Sequence, residues 1–166
     1  VSVHRRENWG INLQHIIEGL KMILAEYKDV ILLLPLHPNP IVREPFLNAF
    51  QSTKRVILVP PLNYLELVGT IKNCYALLTD SGGLQEEAPS LGKPVLVLRK
   101  TTERPEAIDA GTSKLIGTDP QSILRETGNL LSNKEDYQKM SRAVNPFGDG
   151  KASVRILKTC LEFLNI

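Results

Sequence analysis

Short runs of β-branched and leucine residues alternate along the chain with longer segments of helical period, the pattern of a parallel sheet with helices on both faces. "VSVH" (1 to 4) reads as a first strand. Leu13, Ile16, Ile17, Leu20, Leu24 and Tyr27 recur at intervals of three and four, so 11 to 27 is expected to be a helix laying one face on the sheet. The nearly unbroken apolar run "VILLLPLH" (30 to 37) suits a strand covered on both sides. Beyond it the pattern predicts a helix at 41 to 50, a strand at 55 to 59, a helix at 64 to 73 and a strand at 75 to 79. A helix starting near Gly82 should end at Gly92, with Pro89 forcing a kink or an early stop. Strands follow at 94 to 98 and 113 to 117, then helices at 120 to 131, 134 to 143 and 152 to 164. The last helix carries an apolar stripe of Ile156, Leu157, Cys160, Leu161 and Leu164. The expected class is therefore α/β, a Rossmann-like parallel sheet in one domain covering residues 1 to 166.

In such sheets ligands bind beyond the carboxyl ends of the strands. "TDSGGLQEEA" (79 to 88) is a loop of that kind running into a helix. Ser81 suits the N-cap, and Gly82 and Gly83 fall where backbone N–H groups lack internal partners and the helix dipole is positive. Leu84 stands where a capping box would need Glu or Gln, so the first turn stays open to an anion such as a phosphate. Glu87 lies one turn behind Gly83 on the same side, where a carboxylate can accept from both hydroxyls of a ribose. A simple capped turn and a surface glutamate account for the same residues. Glu86 points away around the helix and is expected to be solvated or paired.

Other polar groups gather at the same edge. "HRREN" (4 to 8) places His4, Arg5 and Arg6 after the first strand, and His37 follows the second between prolines. After the fifth strand, Thr101, Thr102 and Arg104 can reach a phosphate, unless Glu103 or Glu106 holds the arginine. Each cluster also suits a solvated loop.

The net charge of +2, from 20 basic and 18 acidic residues, argues against a nucleic-acid partner. Cys74 and Cys160 match no metal or redox spacing and read as two buried thiols in a reducing, cytoplasmic setting. No apolar run is long enough for a membrane span, and no phosphate-loop lysine motif, metalloprotease helix or calcium loop occurs, so neither metal nor cofactor is implied.

In order along the chain, "HRREN", "LHPNP", "TDSGGLQEEAPSLGKPVLV", "TTERPEAIDAGTSKLIGTD" and "NPFGDGKAS" resemble the C-terminal half of the non-hydrolysing UDP-N-acetylglucosamine 2-epimerases of bacteria. The resemblance implies one half of a GT-B-like two-domain fold, its first strand truncated and its N-terminal catalytic domain absent. It implies that Ser81, Gly82 and Gly83 bind the diphosphate of UDP and Glu87 the ribose. Arg104 and His4 would lie at the phosphates and the reacting sugar, and backbone groups near Leu67 at the uracil. Arg5 and His37 match positions that contact a second, activating UDP-sugar in some members. The family inverts C2 of the sugar by eliminating UDP and adding it back to 2-acetamidoglucal, and its full-length members commonly form homodimers. The nucleotide half of a GT-B glycosyltransferase and a non-catalytic UDP-sugar sensor are the alternatives.

Overall fold

The computed structural model describes residues 1–164. Five strands lie parallel: β1 (Leu32–Pro35), β2 (Val56–Val59), β3 (Leu77–Thr79), β4 (Val95–Val97) and β5 (Ser113–Leu115). β1 pairs with β2 in the register Leu32 to Val56, and β4 lies between β3 and β5, with Val95 opposite both Leu77 and Ser113. Residues 1–4 do not form the regular strand expected of them. Ser2 makes a single parallel bridge to Thr79, its N–H donating to Leu78 O, while the Val1 amine donates to Leu33 O. That segment nevertheless joins the two sub-sheets, giving the spatial order β2, β1, residues 1–4, β3, β4, β5. Taking residues 1–4 as the first strand, this is the 3-2-1-4-5-6 order of a doubly wound dinucleotide-binding sheet.

Alternation along the strands explains how both faces are covered. Leu78, Leu96 and Leu98 join one core cluster with Leu32, Leu34 and Leu36, whereas Leu77, Val95 and Val97 join another. The first face is covered by α1 (Ile11–Glu26), α2 (Pro40–Phe50) and α6 (Pro120–Ser132), the second by α3 (Tyr64–Asn73) and α4 (Gly82–Ser90). α1 and α6 approach closely because both carry glycine at their contact. A Cβ on Gly19 would stand 2.9 Å from Cβ and Cγ2 of Ile123, and Gly128 lies directly under the Tyr27 hydroxyl.

α4 runs through Pro89 to Ser90, and Leu91 then serves as C-cap. Gly92, at φ 68°, donates to Pro89 O and Lys93 donates to Ala88 O, the paired bonds that close a helix over a left-handed glycine. Pro89 thus does not stop the helix early; it sits in its last turn, one residue before its end. Two short connectors follow, α5 (Pro105–Asp109), which Pro105 starts, and α7 (Lys134–Ser141).

α8 (Ala152–Leu164) has no buried residue: Ile156, Leu157, Leu161 and Leu164 are all exposed. The expectation of two buried thiols fails for the same reason, since Cys160 rides on this helix and is exposed, while Cys74 is half-buried. No helix among the described residues is long and apolar enough to cross a membrane.

Candidate nucleotide site

The strand order reverses between residues 1–4 and β3, so the loops that follow these two strands diverge and open a crevice. Asp80 spans its floor. The carboxylate is fully buried and accepts from the backbone N–H of His4 (3.0 Å) and of Arg5 (2.9 Å) and from Asn8 Nδ2 (2.9 Å). Asn8 also donates to Leu98 O at 3.0 Å, tying the first loop to the end of β4. Below it, the Thr79 hydroxyl donates to Ser2 O and accepts from Ser81 N.

Ser81 occupies the N-cap of α4, but its hydroxyl makes no capping bond. It and the N–H groups of Gly82 and Gly83 face the crevice without an internal partner. Neither glycine has positive φ, so what they contribute is room above the backbone rather than a special conformation. The Arg5 guanidinium fills part of that room, with Nη2 3.3 Å from where a Gly82 Cβ would stand and Nε buried without a partner. Arg5, matched above to an activating site, therefore lies beside Gly82 at the start of α4. Behind it, Glu87 brings Oε1 to 3.9 Å from the Cβ position of Gly83, while its Oε2 is buried with no hydrogen-bond partner.

His4 and His37 stack with ring centroids 5.9 Å apart. His37 is further fixed by accepting the Asn39 N–H at Nδ1. Burial pushes the His4 imidazole below the usual histidine range; Asp80 opposes this, and Arg5 and His37 reinforce it. Arg104 reaches the same edge, paired through Nε with Glu86 and through Nη1 with Glu103 O. Glu86 is thus paired, and it, rather than Glu103 or Glu106, is the acid that holds the Arg104 side chain. A half-buried relay fixes the arginine's backbone: Arg104 N–H donates to the Thr102 hydroxyl, which donates to Gln85 Oε1, and Gln85 Nε2 donates to Ser81 O.

Leu67 lies on α3 beside the second core cluster. Its N–H is spent on Asn63 O within the helix, and Asn63 with Glu66 forms a capping box. A base at this position would therefore meet the Leu67 side chain or the exposed Tyr64 and Leu65 rather than the Leu67 amide.

Sequence reasoning missed Asp80 and Arg99. Arg99, 5% exposed, is gripped from two sides, by Glu7 (Nε to Oε1, 2.5 Å) and by Glu103 (Nη2 to Oε1, 2.9 Å). These hydrogen bonds hold the Glu103 carboxyl at about 2, well below the usual carboxylate range.

Together these groups offer an anion a row of backbone donors, two arginines and a histidine, with a carboxylate one helical turn behind. Comparison with known proteins points the same way. A family model described as UDP-N-acetylglucosamine 2-epimerase matches residues 1–161. The UDP-N-acetylglucosamine 2-epimerase of Escherichia coli strain K12 is 51% identical over 158 residues, which cover 95% of this chain and 42% of that protein. The crystal structure of UDP-GlcNAc 2-epimerase from Neisseria meningitidis bound to UDP-GlcNAc superposes with a TM-score of 0.93 at 45% identity, covering 97% of this chain and 43% of the other. The fold alone extends to the C-terminal domain of a group 1 glycosyl transferase from Francisella tularensis, at a TM-score of 0.67, 16% identity, and coverage of 89% and 80%. The chain spans less than half the length of the curated relatives it matches. With the family model matching nearly its whole length, the chain belongs to the UDP-N-acetylglucosamine 2-epimerase family.

Proposed function

We propose that this chain is the UDP-binding half of a non-hydrolysing UDP-N-acetylglucosamine 2-epimerase, which interconverts UDP-GlcNAc and UDP-ManNAc. The observation that carries the reading is the uncapped Ser-Gly-Gly helix start with an unpartnered, buried carboxylate oxygen of Glu87 one turn behind it. An unpaired buried acceptor costs roughly 1–3 kcal/mol, and two ribose hydroxyls would satisfy it. The diphosphate meets the N–H groups of Gly82 and Gly83, the Ser81 hydroxyl, Arg5 and Arg104, and the uracil packs at Leu67. His4 stands at the phosphates and the reacting sugar; a second, activating UDP-sugar would meet His37 with Arg5.

Anti elimination of UDP needs a base at the sugar C2 and a site for the departing dianion. This chain supplies the dianion site, and the acid and base carboxylates come from an N-terminal domain across the cleft. The full protein works as a cytoplasmic homodimer. In support, the Neisseria relative carries UDP-GlcNAc, and Cys74 and Cys160 are unpaired here.

Calorimetric titration of the chain with UDP and GDP, beside Glu87→Ala, tests the assignment. Saturable binding that prefers UDP and weakens in the variant is expected, with no C2 inversion by the chain alone. Equal binding of UDP by wild type and Glu87→Ala would overturn it.

A further inference from the structure

Asp80 meets a second neighbour besides the loop backbone that it anchors, the imidazole of His4. Its Oδ2 receives three donors, from His4 N (3.1 Å), Arg5 N (2.9 Å) and Asn8 Nδ2 (2.9 Å). The second oxygen, Oδ1, takes only the bifurcated His4 N–H (3.0 Å) and stands 3.6 Å from His4 Nδ1. Among the described residues no lysine or arginine side chain comes within ion-pair distance of Asp80. Those donors stabilise the charge of this fully buried carboxylate, and the His4 imidazole is the one titratable side chain it meets.

We propose that Asp80 is a positioning residue for His4: its Oδ1 keeps the imidazole protonated at Nδ1, leaving Nε2 free for a ligand. The same pairing of a carboxylate with one ring nitrogen fixes the tautomer of catalytic histidines generally. The groups facing His4 are Asp80, Arg5 and His37, and of these Asp80 alone favours the imidazolium. The inference rests on the nucleotide reading for His4's role in the reaction, but not for the pair itself.

The chain has three histidines, His4, His15 and His37, so ring-nitrogen NMR of uniformly labelled protein separates them, with His4→Gln for assignment. At alkaline pH His4 is expected to carry its proton on Nδ1; a proton on Nε2 would overturn the proposal, and this reading needs no variant to fold. In Asp80→Asn the His4 midpoint should fall, because only burial, Arg5 and His37 remain to act on it. An unchanged midpoint in a variant whose Arg5 and Asn8 amides keep their shifts would reduce Asp80 to a loop anchor. UDP addition separates the two readings. If UDP moves no wild-type resonance while Asp80→Asn still shifts His4, the nucleotide reading fails and the pair stands; if UDP binds and Asp80→Asn leaves His4 unmoved, the pair fails alone.

Discussion

Replacing Gly83 by alanine separates what the helix start does for the fold from what it does for a ligand. A Cβ there would meet only Glu87 Oε1, at an ordinary 3.9 Å, so the native structure has room for it. Alanine is favoured over glycine in a helix by up to about 1 kcal/mol, and less in the first turn, so stability should hold or rise slightly. The nucleotide site responds the other way, because the methyl occupies the space through which a phosphate oxygen reaches the backbone N–H. Losing one charge-assisted hydrogen bond of about 1.5–3 kcal/mol weakens binding by about 10- to 150-fold. Urea unfolding and UDP calorimetry on the same preparation read both effects. Unaltered UDP affinity in a variant at least as stable as wild type would mean that the glycine serves only the turn, and the phosphate assignment would fall. Gly82→Ala should lose affinity too, and it also displaces Arg5, whose Nη2 would lie 3.3 Å from the new methyl.

The same substitution should have opposite signs at two other glycines. Gly19→Ala drives its methyl to 2.9 Å from Ile123 Cβ, an atom fixed to the α6 backbone, so a net loss of about 1–2 kcal/mol and a melting temperature lower by ~3–8 °C are expected. Gly69→Ala on α3 enters open space and should gain up to about 1 kcal/mol; thermal melts shifting in the same direction would contradict the packing described for α1 and α6. Glu103, held near 2 against an ordinary 4.5, contributes stability that is present above about pH 4.5 and lost as pH falls toward 2. Glu103→Gln should therefore flatten that stretch of the acid limb in urea midpoints measured against pH, modestly because half the side chain is in water; superimposable limbs would discount the Arg99 pairing.

The helices and most strands were legible because each carries its own period, and Ser81, Gly82, Gly83 and Glu87 fall where the local pattern put them. Asp80 was not, since an aspartate between a strand and a serine looks like any turn residue. Its burial arises from the pairing of Ser2 with Thr79, which no local window contains. Arg99 likewise reads as a solvated charge until Glu7, 92 positions away, folds onto it. Cys160 failed in the opposite sense: an apolar stripe in sequence says which face wants covering, not that this chain covers it.

Residues 1–4 sit between two sub-sheets whose own pairings link nearer neighbours in the chain, whereas the bond from Thr79 Oγ1 to Ser2 O spans 77 positions. Closing so long a loop is entropically costly before any contact rewards it. Each sub-sheet pairs within itself, whereas the seam needs the two ends of that long loop brought together. Because that seam brings His4 and Arg5 beside Ser81, the anion pocket exists only where the two sub-sheets are joined, and recognition of a nucleotide becomes a report that the seam is closed.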